Sequence, residues 1–524
     1  MPRTRWNVSL FALLFVAILL VLPLPSCGDD DDDDSSEDDA VGDDDTGDDD
    51  TSDDDTTADD DTSDDDEWTE ADWKFIRDDQ GRARVLRGCN YDGSAKGDSG
   101  LPVYGEEYPQ RMADPWGFNF ARYLIFWARI EPEEGVYDED YLDAVETRLD
   151  WLAENGIDVV LDMHQDVWGP FAGSPTRGEH SDGAPEWATI TDDKPFIDFA
   201  SLLGGWAFNY ISPDVMRAFD NFWDYETHPG LQDHYAAMWV HVAERFADHP
   251  AVIGFNFMNE PWQGSGLFRM ADFDQHEYSD FLQRMIDAVR KVDNDRWIFY
   301  EPNAFLTNQG MPNYLRVLDD PREGPNRLAF FPHLYPLQID LFGGYDPERD
   351  NTLANWEKNR IADSVRQQAP LLLGEWAMLS YFDRENLEQW NKEALAMMER
   401  VTSGWAYWDC RYFFETFDDD FRDIVAGVYP RATAGTPTSY RYDPETRVFT
   451  LELENYDAAV GPTQIYLPSE RLYPDGWELS VSDADGTWES DYDAETQVLS
   501  VWTDPDTEAH TITVMPTALS SRMK

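Results

Sequence analysis

The stretch Ile157-Asp158-Val159-Val160-Leu161-Asp162-Met163-His164-Gln165-Asp166 decides the fold. Its apolar run is short, starts behind Gly156 and closes on polar residues, the pattern of a buried strand. Just before it, Leu142, Val145, Leu149 and Leu152 recur at three- and four-residue spacing. They define one face of a helix over residues 141–155, and Gly156 caps it. An amphipathic helix feeding a buried strand is one step of an alternating β/α chain.

The same step recurs in both directions. Residues 85–90 and 118–126 read as strands one and two, so 157–163 is strand three. After Gly230, Tyr235, Trp239, Val242 and Phe246 mark a helix that leads to strand four at 252–257. A helix over 281–292 leads to strand five at 297–300. Residues 328–331, 371–373 and 404–407 complete eight strands, with helices near 351–368 and 387–400 between them. Eight such units predict an α/β fold, a (β/α)₈ TIM barrel. Long insertions over 91–115 and 166–230 are placed to line a cleft. A doubly wound sheet is the rival, but no Gly-x-Gly-x-x-Gly turn follows the first strand.

After Pro430 the texture changes. Short strands at 438–442, 448–454, 463–467, 477–482, 498–502 and 510–515 alternate with Asp-Pro and Pro-Asp-Gly turns. They predict a C-terminal antiparallel β-sandwich, whose ordinary role is to pack on its neighbour. The expected organisation is residues 1–26, 27–66, a barrel over 67–430 and a sandwich over 431–524.

The N-terminus reads differently. Arg3 and Arg5 precede an apolar run of 13 residues, Leu10 to Leu22, too short to span a bilayer and suited to a signal h-region. Leu24-Pro25-Ser26-Cys27-Gly28 then predicts a lipoprotein signal cut before Cys27, whose acylated sulfur would anchor the chain. An ordinary secretory signal is the alternative. Residues 29–66 hold 24 acidic and no basic side chains, the composition of an extended tether. The whole 524-residue chain has a formal net charge of −68. A field of that sign repels phosphate backbones and excludes nucleic acid as a partner.

In a barrel, reactive groups sit at the C-terminal ends of strands. Those positions hold Arg122, His164, Asp166, Asn259, Glu260, Glu301, His333, Tyr335, Glu375 and Trp408. Glu260 and Glu375 each close an apolar run and are followed by Pro-Trp or Trp. Two carboxylates in a sugar cleft can divide the labour of glycoside hydrolysis: one donates a proton to the leaving oxygen, the other attacks the anomeric carbon. Arg122, His333 and Tyr335 would hold the nucleophile ionised and oriented, and Trp408 would stack on a pyranose ring. Glu301 is the rival carboxylate, and Asp162 and Asp166 read as structural or substrate-binding. No His-Glu-x-x-His or tight His pair argues for a catalytic metal, and no Gly-x-Ser-x-Gly elbow argues for a serine nucleophile.

The ordered set Arg122, His164, Asn259-Glu260-Pro261, His333/Tyr335, Glu375 and Trp408 resembles family 5 of the glycoside hydrolases. Arg87-Gly88-Cys89-Asn90, Asp162 through Trp168, Met258 through Trp262, Gly404 through Asp409 and Tyr429 through Pro437 resemble its endoglycoceramidases more narrowly. The resemblance implies that Glu260 is the acid/base and Glu375 the nucleophile. It places Asn259 at the sugar 2-hydroxyl, Arg122 and Tyr335 near Glu375, and His333 in support. His164 and Asp166 would line the glycan side, and Trp408 would lie under the first sugar. It implies a retaining cut between glycan and ceramide of a glycosphingolipid, with no cofactor and no obligate protein partner. The alternatives are a cellulase or exo-β-glucosidase on other β-glycosides, and a non-catalytic carbohydrate-binding surface lipoprotein. Leu337, Leu341, Phe342, Phe413 and Phe414 are candidates for an apolar groove or for core. Cys89 and Cys410 end neighbouring strands in an oxidising compartment, which predicts a disulfide between them; two separate buried thiols are the alternative.

Overall fold

The computed structural model describes residues 70–517, apart from 176, 179–181, 204, 267–268, 337–344, 349 and 379–383. The signal, the acidic tether with Cys27, and Leu337, Leu341 and Phe342 therefore lie outside the described residues. No helix among the described residues is long and apolar enough to cross a membrane.

Eight parallel strands form the barrel: Leu86–Tyr91, Phe120–Ile125, Asp158–Met163, Val252–Asn256, Trp297–Tyr300, Leu328–Phe330 continued by His333–Leu334, Leu373–Trp376 and Gly404–Tyr407. Strand six is broken around Phe331-Pro332. Its first half pairs with strand five and its second half with strand seven. Strand eight pairs with strand one, so the sheet closes on itself. Strand seven lies at Leu373–Trp376 rather than at 371–373. The apolar run set the expectation, but register with strand six carries the ladder through Glu375 and Trp376.

The barrel is filled, not hollow. Leu86, Phe120, Val160, Phe299, Ala329, Phe331, Leu372 and Ala406 form one interior cluster. Ile76, from the segment ahead of strand one, joins it. Each of the larger side chains here contributes about 1.5–3 kcal/mol when fully buried. Outside, the helix Glu139–Glu154 buries Tyr141, Leu142, Val145, Leu149 and Leu152, the face its spacing predicts. The Asp138 side chain caps its start by accepting from the Tyr141 N–H, and Gly156 leaves it at φ 65°.

The C-terminal part is a sandwich of a five-stranded and a four-stranded sheet. Tyr429–Thr433 straddles the expected junction and pairs with Thr463–Tyr466. Ala83–Arg84, from ahead of the barrel, adds a strand to the same sheet. Arg87, on barrel strand one, ties the barrel to the sandwich: it donates to Glu399 of the barrel at 2.9 Å and lies 4.8 Å from the ring centroid of Tyr429 in the sandwich. Phe413 and Phe414 are buried and pack on Phe118 and Tyr108, so they belong to the core. Cys89 and Cys410 form a disulfide, with 5.2 Å between their Cα atoms, across the seam of strands one and eight.

Candidate active site

Register sets the centre of the site. Parallel pairing places Asn90 beside Arg122 and His333 beside Glu375. Arg122 points into the barrel mouth and is fully buried. A buried guanidinium is costly unless its charge is paired. Arg122 donates to Asn90 Oδ1 at 2.9 Å, Glu375 Oε1 at 2.6 Å, Asn259 Oδ1 at 2.7 Å and Glu301 Oε1 at 2.8 Å, and lies 2.9 Å from Asp162 Oδ1. This one side chain fixes groups from five strands or strand ends.

Glu375 sits on strand seven and is 5% exposed. Tyr335 donates its hydroxyl to Glu375 Oε2 at 2.6 Å, so each carboxylate oxygen has a donor. The orientation matches the sequence reading; the electrostatic balance does not. Burial drives the Glu375 carboxyl above its ordinary range, His333 and Arg122 pull against it, and Glu260 adds to the rise. Desolvation outweighs the two cations here.

Glu260 lies beyond the end of strand four, with its backbone at φ 41°. A left-handed conformation costs a non-glycine residue roughly 1–3 kcal/mol and persists only when its surroundings enforce it. Glu301 Oε2 accepts the Glu260 N–H at 2.8 Å, and Gln165 Nε2 donates to the Glu260 carbonyl at 3.0 Å. Glu301 is thereby committed. Its Oε1 also accepts from Asn256 at 2.5 Å, and only 2% of the residue is exposed. Burial would raise its carboxyl, but His333 and Arg122 hold it down at about 2. The rival carboxylate is a brace beneath Glu260, with no oxygen free for a substrate.

His333 stands between the two candidate carboxylates. Its Nδ1 is 2.9 Å from Glu260 Oε1 and 3.8 Å from Glu375 Oε2. Burial pulls the imidazole down, but Glu301 and Glu375 carry it up to about 10, so it is a cation at neutral pH. Asn308 Nδ2 donates to the same Glu260 oxygen at 2.7 Å. One carboxylate oxygen of Glu260, one of Glu375 and a ring nitrogen of His333 all lie within 4.8 Å of one another.

Beside this centre lies a second polar group. His164 Nδ1 is 2.8 Å from Asp162, and its ring stacks on Trp408 with centroids 5.7 Å apart and planes 11° apart. Burial and Lys96 push His164 down, but Asp162 and Asp166 bring it up to about 9. Lys96 pairs with Asp166, and its ammonium lies 4.7 Å from the Trp408 ring centroid. Asp182 is raised to about 7 by burial and by Asp166. Thus Arg122, His164, Asp166, Asn259, Glu260, His333, Tyr335, Glu375 and Trp408 meet in one mouth, whereas Cys89 and Cys410 lie in the seam, Phe413 and Phe414 in the core, and Cys27, Leu337, Leu341 and Phe342 outside the described residues.

Metal chemistry can be weighed from the donors. Among the described residues, His164/Asp166/Asp182 and Glu260/His333/Glu375 have ligand-like spacing. In both clusters the imidazole nitrogens face carboxylates, at 2.8 Å from Asp162 and 2.9 Å from Glu260. Lys96 and Arg122 already supply the cations. These donors are engaged in ion pairs with one another and with Lys96 and Arg122.

The sequence reading omitted Asn90, Lys96, Asp182, Asn256 and Asn308. Asn90 ends the Arg-Gly-Cys-Asn run and was open to the strand-end rule. Lys96, Asp182 and Asn308 sit on irregular connections, where periodicity carries no signal.

A closed β/α barrel with two carboxylates facing each other at its mouth, backed by arginine, tyrosine and imidazolium, defines a glycoside hydrolase. Residues 98–413 match the model described as Cellulase (glycosyl hydrolase family 5), and 428–514 match the glycoside hydrolase family 5 C-terminal domain. The chain belongs to glycosyl hydrolase family 5. It is similar to the structure of endo-glycoceramidase II from Rhodococcus sp. in complex with ganglioside GM3. Identity there is 35% and the TM-score 0.77, covering 85% of this chain and 99% of that one. A lactosyl-enzyme intermediate of the same Rhodococcus enzyme matches at 35% identity and a TM-score of 0.75, covering 85% of this chain and 100% of that one. Endoglycoceramidase I of Rhodococcus hoagii (strain 103S) is 28% identical over 439 residues, 78% of this chain and 82% of that protein.

Proposed function

We propose that this protein is a retaining endoglycosylceramidase, which hydrolyses the β-linkage between the glycan and the ceramide of glycosphingolipids. The observation that carries the reading is the approach of Glu260 and Glu375, whose carboxylate oxygens come within 4.8 Å. Retaining enzymes hold the pair about 5–5.5 Å apart, whereas inverting ones leave about 6.5–9.5 Å for a water. The similarity to enzymes of that specificity over 85% of this chain supports the choice of substrate.

In this reading Glu375 attacks the anomeric carbon while Glu260 protonates the departing ceramide oxygen. Arg122 and Tyr335 aim the nucleophile with one hydrogen bond to each oxygen. Glu260, now ionised, takes a proton from water, and that water breaks the glycosyl ester with a second inversion. Asn259, tied to Arg122, would meet the sugar 2-hydroxyl. Trp408, His164, Asp166 and Lys96 would hold the glycan. The signal-like N-terminus, Cys27 and the acidic run support export and lipid anchoring to a cell envelope or surface.

The test is incubation with a panel of glycosphingolipids, simple glucosylceramide and cello-oligosaccharides, with mass analysis of both products. Intact glycan plus ceramide is the expected result. Glucose or shortened cello-oligosaccharides alone would assign the chain to soluble glucans, and binding without turnover would make it a lectin.

A further inference from the structure

We propose that Asn308 is a positioning residue of this hydrolysis: its amide confines the acid proton of Glu260 to Oε2. The inference rests on Glu260 being the acid/base. Two donors converge on Oε1, Asn308 Nδ2 at 2.7 Å and His333 Nδ1 at 2.9 Å. A carboxylate oxygen that accepts two such bonds has no lone pair left for a proton. Among the described residues no donor reaches Oε2. That oxygen is therefore the one that carries the proton and meets the glycosidic oxygen.

Asn308 is built to hold this position. Its N–H donates to the Ala304 carbonyl at 3.2 Å, as the last turn of the short helix Ala304–Thr307. Its own carbonyl accepts the Tyr335 N–H at 3.2 Å. Tyr335 is the residue whose hydroxyl grips Glu375. The preceding carbonyl, of Thr307, accepts from the buried Arg360 at 3.1 Å. One residue thus contacts the acid/base through its side chain and, through its backbone, the residue that orients the nucleophile. The spacing between the two carboxylates passes through Asn308.

A proton held on one fixed oxygen matters only when the leaving group needs a proton. The experiment compares kcat/KM on two β-lactosides, one with a long-chain alkyl aglycone and one with a 2,4-dinitrophenyl aglycone. In Asn308→Ala, the alkyl lactoside should lose roughly 10- to 100-fold, while the dinitrophenyl lactoside changes by less than about 3-fold. The dinitrophenolate burst reports that Glu375 and the fold are intact. Asn308→Asp places a like charge on Glu260 and should shift the alkaline limb of the pH profile upward. Equal losses on both lactosides, no loss on either, or an unmoved alkaline limb in Asn308→Asp would overturn the inference. If Glu260→Ala itself kept full activity on the alkyl lactoside, the acid/base assignment would fall, and this inference with it.

Discussion

Glu375 sits on its strand and Glu260 sits off its strand, and their surroundings differ accordingly. Glu375 is 5% exposed, has extended backbone and receives donors on both oxygens, from Arg122 and Tyr335. The Glu260 side chain is 15% exposed, its backbone is left-handed, and its two donors share one oxygen. A group gripped at both oxygens is aimed and cannot turn, as a nucleophile must be. A group gripped at one oxygen keeps the other free to give and regain a proton. The comparison supports the proposed roles without appeal to either motif.

The largest effect should come from the fully gripped carboxylate. Glu375→Gln should lower kcat on the order of 10⁴-fold or more while leaving the thermal transition in place. Steady-state turnover and calorimetry on one preparation check both parts, and substantial residual activity would reject the nucleophile. Glu260→Ala should cost about 10²–10⁴-fold on ceramide substrates. Added azide should restore turnover of an aryl glycoside and yield a β-glycosyl azide, visible by NMR. An α-azide would reverse the assigned roles.

Smaller effects sharpen the contrast. Burial raises the Glu375 carboxyl, and the nucleophile must be ionised. Activity therefore falls as pH drops through that raised value, and the acid limb of kcat/KM should lie above the ordinary glutamate range. Tyr335→Phe removes a bond that favours the charged form, so it should push this limb further up and cut the rate by about 10-fold. A pH–rate profile of both proteins measures it. His333 and His164 are raised to about 10 and 9, above the value of an unfolded histidine. The stability they supply is complete below about pH 6.5 and is lost as pH rises through the folded values. Thermal midpoints should decline between about pH 7 and 10, and a flat profile would contradict the imidazolium assignment. Last, replacing Cys89 and Cys410 by serine should cost about 2–5 kcal/mol in denaturant unfolding, with little change in kcat, because the bond closes the seam of strands one and eight and donates nothing to the two glutamates.

The barrel was legible because its strands are short apolar runs that end in chemistry. Strands five and eight fall where the sequence places them, at Trp297–Tyr300 and Gly404–Tyr407. The sandwich was legible where its strands carry alternating apolar or aromatic residues. Glu489–Asp493 is almost entirely polar at the edge of its sheet, Tyr429–Thr433 contains a proline, and Ala83–Arg84 is two residues long. None of these carries a period-2 signal. In the site, Arg122, Glu260 and Glu375 follow from the strand-end rule. The part played by Glu301 does not, because a catalyst and a brace look alike at a strand end until the bond to the Glu260 N–H is seen. Asn308 and Lys96 gain meaning only from the fold that carries their loops to the mouth.

The most direct test of the account traps the intermediate. The protein is incubated with a 2-deoxy-2-fluoro β-glycoside bearing a good leaving group, then digested, and the peptides are weighed. The account predicts one glycosyl adduct, on the peptide that contains Glu375, and release of a β-configured sugar when the adduct turns over. An adduct on Glu260 or Glu301, or hydrolysis of ordinary substrate to the α-anomer with no adduct, would contradict it.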